Sequence, residues 1–98
     1  FSMTAFSQLN RRDIAQVLRG LRSAKRDPEG NVVLTPGELL RSERVDTSFD
    51  LDDPSADNKV YAAVSWLERA GLVERNENHT QVFQGSPRVR TMNEARDT

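Results

Sequence analysis

The chain lacks cysteine entirely and contains a single histidine, His79. The absence of cysteine excludes a disulfide framework and every zinc site built from thiolates. One imidazole is too few for the remaining zinc ligand sets. The acidic stretch at residues 50–53 also lacks the glycine and the closing glutamate of a calcium-binding loop. We therefore expect no bound metal.

No stretch approaches the ~20 consecutive apolar residues of a membrane span, so we expect no membrane partner. The first residues lack the basic start and apolar core of a secretory signal, which favours a cytoplasmic protein. The pair Ser2-Met3 resembles a cloning junction, so we expect a fragment of a longer chain. No nucleophile-elbow or phosphate-loop motif is present, and we predict neither catalysis nor a cofactor within the fragment.

The charge is small in total but unevenly distributed. A formal net charge of −1 argues against a strong non-specific nucleic-acid binder. Residues 1–26 nevertheless carry six basic side chains and one acidic one, whereas residues 27–57 carry nine acidic and two basic ones. Residues 58–98 are nearly balanced, with six basic and five acidic side chains. Any contact with DNA is thus expected to be local, with the acidic middle segment turned away.

The first half of the chain contains two predicted helices. Asn10 is a favourable N-cap for the first, in which four apolar residues share one face. These are Ile14, Val17, Leu18 and Leu21. A turn at residues 27–30 and a short strand at 32–34 are predicted next. Residues 35–38, Thr-Pro-Gly-Glu, then combine a cap, a first-turn proline and a capping box, which predicts a short helix burying Leu39 and Leu40.

The acidic connection that follows, residues 42–57, carries Val45, Phe49 and Leu51, and we expect all three to dock on the core. Asp53-Pro54 at its end is an N-cap candidate followed by a first-turn proline. These two residues predict the start of a third helix, spanning about residues 54–70.

The third helix and the segment after it carry the most information. At ~100° per residue its apolar side chains gather on one face. They are Val60, Ala63, Val64, Leu67 and Ala70. The opposite face carries polar or small side chains with two flanking residues. They are Asn58, Ala62, Ser65 and Arg69, flanked by Lys59 and Trp66.

Gly71 is predicted to end the helix as a left-handed cap. Strands at 72–75 and 80–83 then form a hairpin with a tip at 76–79, where asparagines tolerate positive φ.

This order of elements predicts an α+β fold of the winged helix-turn-helix type. It has three helices and a small three-stranded antiparallel sheet, in which the strand at 32–34 joins the later hairpin. We place the domain at residues 10–84, between an N-terminal extension (1–9) and a flexible C-terminal tail or linker (85–98). The tail is assigned because no apolar periodicity remains there.

Ten side chains are the predicted DNA contacts. Two arginines lie at the start of the first helix, where the helix dipole favours a phosphate. The exposed face of the third helix can reach base edges or phosphates, and the hairpin tip can reach phosphates or stack on a base. The set is Arg11, Arg12, Asn58, Lys59, Ser65, Arg69, Arg75, Asn76, Asn78 and His79. The competing interpretation is an ordinary solvated helix face and a plain hairpin turn.

The segment at residues 58–83, especially WLERAGLVERNENHTQVF, resembles the winged-helix region that follows the motor in bacterial RecQ-type ATP-dependent DNA helicases. LNRRDIAQVLRGLR, residues 9–22, is similar to the helix that opens this region in a subgroup of large helicases. The resemblance spans about residues 6–85. It implies an accessory domain of DNA repair and recombination that binds double-stranded or forked DNA beside motor domains of the same chain. At the hairpin tip, His79 and asparagines stand where some relatives carry a strand-separating aromatic.

Two other functions fit the same predicted fold. A transcriptional regulator normally needs a dimerisation element to match symmetric half-sites, and this chain shows none. A winged helix that binds protein rather than DNA is favoured by the low net charge and the acidic middle segment. A phosphate-binding loop and helicase motifs upstream in the full-length chain would decide for the helicase interpretation.

Overall fold

The first helix, α1 (Arg11–Ser23), is fixed at its start by the predicted cap. The computed structural model describes residues 9–76 and 86–89. The Asn10 side chain accepts the backbone N–H of Asp13 at 2.8 Å, which satisfies one of the unpaired donors at the helix start. Ile14, Val17 and Leu21 are buried, and the predicted apolar face is confirmed.

The second helix, α2 (Pro36–Arg41), carries the complete predicted capping box. The Thr35 hydroxyl accepts the Glu38 backbone N–H at 3.0 Å, and the Glu38 carboxylate accepts the Thr35 N–H at 3.1 Å. Leu39 and Leu40 are buried as predicted. Six residues are too few for a helix to be stable alone, so the cap and these two leucines hold α2 in place.

Between α1 and α2 the chain forms a turn and an isolated bridge, and the predicted strand at 32–34 is wrong. The Asp27 carboxylate accepts the backbone N–H groups of Glu29 and Asn31, both at 2.9 Å. Asp27 thereby turns the chain back onto the end of α1. Val32 forms a single antiparallel bridge with Arg26. The local backbone bonds are therefore directed toward the residues that follow α1, and no third strand lies among the described residues.

The acidic loop, defined here as residues 42–55, docks through two of its three apolar side chains. Val45 and Phe49 are buried, as predicted. Leu51 is 43% exposed, so its predicted burial is wrong. The reason is a tight turn in which the backbone N–H of Asp52 bonds the Asp50 carboxylate and that of Asp53 bonds the Asp50 carbonyl, each at 3.0 Å. This turn places Leu51 at an exposed tip.

The third helix, α3 (Ala56–Arg69), begins two residues later than predicted. Asp53 and Pro54 belong instead to the turn before it. In that turn the Asp53 carboxylate accepts the Ser55 backbone N–H at 2.9 Å, and the Asp53 carbonyl accepts the Ala56 N–H at 3.0 Å. The bond from the Ser55 N–H lowers the pKa of Asp53, with smaller contributions from the Ser55 hydroxyl and Lys59.

The predicted buried face of α3 is confirmed for Val60, Val64, Leu67 and also Ala63. Ala70 is exposed, because it is the C-cap residue and lies beyond the last turn that packs on the core. The predicted glycine stop is confirmed as well.

The stop is a Schellman motif. Gly71 has a φ of 78° and donates its N–H to the Glu68 carbonyl, while Leu72 donates to the Leu67 carbonyl, each at 3.0 Å. Both bonds satisfy carbonyls that the helix end would otherwise leave unpaired.

The chain leaves α3 into an antiparallel pair of strands, β1 (Val73–Asn76) and β2 (Ser86–Val89). Val73 is opposite Val89, and Asn76 is opposite Ser86. The first strand thus occurs one residue later than predicted, whereas the predicted partner at 80–83 lies outside the described residues. The second strand lies within the flexible tail or linker predicted at residues 85–98, where no strand was expected. Main-chain pairing needs no apolar periodicity, and an edge strand tolerates Pro87.

The core lies where α1, α2 and α3 meet, with Val73 closing it from the ribbon side. Its members are Ile14, Val17, Leu21, Val32, Leu39, Leu40, Phe49, Ala56, Val60, Ala63, Val64, Leu67 and Val73. The described residues therefore form an α+β arrangement of three helices and a two-stranded antiparallel ribbon.

Leu67→Ala should lower the free energy of unfolding by about 2–5 kcal/mol, because Leu67 is 1% exposed and its truncation leaves a cavity. Leu51→Ala is the matched control, and its effect should stay within about 0.5 kcal/mol since Leu51 is at the surface. Urea unfolding followed by circular dichroism measures both. Equal effects of the two variants would show that the buried face of α3 is wrongly assigned.

Gly20→Ala should destabilise the protein by about 1 kcal/mol or more, although alanine favours helix. An added Cβ at Gly20 would lie 2.6 Å from Leu39 Cδ1 and 2.7 Å from Val45 Cγ2, so α2 and the acidic loop would be pushed from α1. Gly37→Ala is the control: its Cβ would meet the flexible end of Arg41 at 2.9 Å and the Thr35 hydroxyl at an ordinary contact distance of 3.9 Å. Its melting temperature should stay level or rise. A higher melting temperature for Gly20→Ala would contradict the close packing.

Candidate nucleic-acid interface

Arg12, whose contact with a phosphate stays a prediction, bonds the acidic loop. Its guanidinium lies 2.6 Å from the Asp46 carboxylate and donates a second bond, at 2.9 Å, to the Asp46 carbonyl. The Gln16 side chain accepts the Asp46 backbone N–H at 3.0 Å. These three bonds attach the acidic loop along α1, so Arg12 has a structural partner at the place where a phosphate was predicted.

Asp13, one residue further along α1, is fully buried. Its carboxylate accepts the Ser48 backbone N–H at 2.8 Å and the Ser48 hydroxyl at 2.5 Å. A negative side chain in the first turn already interacts favourably with the helix dipole. It also opposes the approach of a phosphate to the same helix end. Arg11 is exposed beside it, and its DNA contact stays a prediction.

The outer face of α3 is defined here as Asn58, Ser65 and Arg69. Asn58 and Arg69 are exposed and Ser65 is half-buried. The prediction that Ala62 shares this exposed face is wrong, because Ala62 is 0% exposed. Apolar periodicity identifies only the most hydrophobic side of a helix, and α3 is covered on part of its other side as well.

Lys59 is directed toward the acidic loop. Its Nζ lies 3.8 Å from the Asp53 carboxylate and 5.7 Å from the centre of the Phe49 ring. The aliphatic stem is half-buried, as is common when a lysine covers apolar surface and keeps its charge at the edge. Lys59 thus joins α3 to the loop, and its DNA contact stays a prediction.

Four predicted contact residues remain, and the structure describes two of them. Arg75 and Asn76 belong to β1, where they are opposite Pro87 and Ser86. Asn76, which was predicted in the tip, is paired in a strand. Asn78 and His79 lie outside the described residues.

Sequence reasoning missed one basic surface. Arg19 and Arg22 of α1 line a groove together with Arg44 of the acidic loop. Arg19 and Arg22 belong to the basic stretch at residues 1–26, whereas Arg44 is far away in the chain. The spacing of Arg19 and Arg22 places them on one side of a helix, but only the docking of the loop brings Arg44 to them.

Two further kinds of site were sought in the part of the chain that the structure describes. There, no helix has both the length and the apolar character needed to cross a membrane. The same residues contain no cluster of three or more histidine, aspartate or glutamate side chains arranged to hold a metal ion.

No family model, curated protein or solved structure matches this chain.

Asp13→Ala should lower the free energy of unfolding by about 1–3 kcal/mol, because it removes the acceptor of both Ser48 bonds. Asp46→Ala, which breaks an exposed ion pair of the same loop, should cost less than about 1 kcal/mol. Urea titrations followed by the fluorescence of Trp66 compare the two. Equal losses would mean that the buried carboxylate does not anchor the loop.

Proposed function

We propose that the protein is a DNA-binding accessory domain of the winged-helix type, belonging to a RecQ-like ATP-dependent DNA helicase and contacting duplex DNA near the unwinding fork. The observation that carries this proposal is the Schellman connection from α3 into the ribbon. Only three residues separate Arg69 from the start of β1, so the end of α3 and the ribbon lie next to each other. A duplex placed on α3 would therefore meet the ribbon as well.

The orientation of α3 supports this use. Val60, Val64 and Leu67 fix one side of the helix to the core, and Asn58 and Arg69 are exposed. The two residues of the exposed pair are eleven positions apart, which is about 16 Å along a helix and about three turns. Both side chains therefore leave the same side of α3, near its two ends, with the buried Ala62 and the half-buried Ser65 between them.

The position of the acidic loop reduces its repulsion of DNA. Asp46 is paired with Arg12, and Asp53 is close to Lys59. These contacts neutralise carboxylates locally, but they also engage two of the predicted basic DNA ligands. The proposal therefore assigns the main contact to the outer face of α3 and to the ribbon.

The helicase context is supported by the resemblance rather than by geometry. In the resembling segment, residues 66–76 form the end of α3, the glycine stop and the first strand of the ribbon. This local structure is what the resemblance implies there. In this proposal the ATPase motor belongs to other domains of the same chain, and the present domain supplies binding to duplex or forked DNA.

Arg69→Ala should weaken DNA binding by about 1–3 kcal/mol while the fold is kept, because arginine can contact a phosphate or a guanine edge with two bonds. Fluorescence anisotropy with a labelled duplex at low salt measures the affinity. Arg41→Ala is the matched control, since Arg41 is likewise an exposed arginine in the last turn of its helix. Circular dichroism verifies folding.

Equal affinities of the Arg69 variant and wild type would remove α3 from the interface. The absence of any wild-type binding at low salt would overturn the DNA proposal. In that case the domain is better assigned to protein interaction, in keeping with its net charge of −1.

A further inference from the structure

An arginine groove lies between α1 and the acidic loop. It has a volume of about 500 Å³ and is lined by Ala15, Leu18, Arg19, Arg22, Ser23 and Arg44. Three of these six side chains are positively charged and none is acidic. Ala15 and Leu18 add a short apolar floor. The groove is separate from the outer face of α3, because none of its lining residues belongs to that helix.

Helix geometry and local contacts position the two walls of the groove. Arg19 and Arg22 are three residues apart on α1, so their side chains leave the same side of the helix. On the other wall, the Ser42 hydroxyl accepts the Arg44 backbone N–H at 3.3 Å. Val45 is buried against Gly20, and Asp46 is bonded to Arg12. Arg44 directly precedes Val45 and Asp46, and the contacts of these two residues with α1 hold Arg44 beside that helix.

The charges of the groove are not balanced within the described part of the chain. There, Arg19, Arg22 and Arg44 take part in no ion pair, although the nearby loop is rich in carboxylates. Asp46 is directed to Arg12 instead. Three guanidinium groups gathered without counter-charges repel one another, and an incoming anion relieves that repulsion. Guanidinium also bonds phosphate oxygens in a bidentate manner.

We propose that the arginine groove binds the phosphodiester backbone of DNA as a second contact, separate from the outer face of α3. This inference rests on the proposed function. A sugar–phosphate strand fits both features of the groove, because its phosphates match the guanidinium groups and its sugars can cover Ala15 and Leu18. Contacts of this kind fix the position of a protein on DNA without reading sequence.

The salt dependence of binding tests the proposal on the full 98-residue chain. Anisotropy titrations with a short labelled duplex are repeated at several salt concentrations for wild type and for Arg22→Ala/Arg44→Ala. A plot of log K against log salt should become less steep by about 1.8, because each phosphate contact contributes about 0.9 to the slope. The control Arg26→Ala/Arg41→Ala removes the same charge outside the groove and should keep the wild-type slope.

Equal slopes for the two double variants would overturn the groove, since the loss would then follow net charge alone. If only Arg69→Ala weakens binding, the proposed DNA contact of the groove is overturned and that of α3 is supported. If only the groove variant weakens binding, the DNA contact of the groove is supported and that of α3 is overturned. No wild-type binding at low salt overturns both.

A measurement on wild type covers the case in which the groove variant fails to fold. The arginine Nε–H resonances of Arg19, Arg22 and Arg44 should shift on addition of the duplex, whereas those of Arg26 and Arg41 should not. If polyglutamate shifts the three groove resonances and the duplex does not, the groove is a site for an acidic protein segment and the proposal is overturned.

Discussion

The bond between the buried Asp13 carboxylate and Ser48 is the constraint on which the arrangement of the first half depends. Asp13 caps nothing by itself, since Asn10 performs that role for α1. Its carboxylate instead holds a loop more than thirty residues away in the chain. A buried carboxylate is costly unless it is hydrogen-bonded, so the loop and the helix stabilise each other. With Ser48 held in this position, Phe49 can pack on the core.

The acidic loop also determines which basic side chains of α1 are available to bind a ligand. Gly20 lets α2 and the loop approach α1 closely, and Arg12 is bonded to the acidic chain that arrives there. Arg44 is carried by that loop to the side of Arg19 and Arg22. A helix that looks uniformly basic in the sequence is thus divided into an arginine with a structural role and a groove with unbalanced positive charge. The proposed backbone contact is therefore assigned to the groove rather than to the start of α1.

The elements that the sequence predicted well are those governed by neighbouring residues. The Asn10 cap, the capping box before α2 and the Gly71 stop depend on atoms within a few positions of each other, and all three are present. The strand predicted at 32–34 failed because Asp27 turns the chain back onto α1. The second strand of the ribbon was missed because its pairing is made by the backbone, which leaves no pattern of side chains in residues 86–89.

The sequence by itself determined the three helices, most of the core and the entry of α3 into a ribbon, because periodicity and capping are local and each element carries its own signal. Tertiary structure decided the environment of each polar side chain. It buried Ala62 on the predicted outer face, directed Lys59 to Phe49 and brought Arg44 to α1. Such contacts depend on which segments, far apart in the sequence, pack together, and the spacing of residues along the chain does not encode that packing.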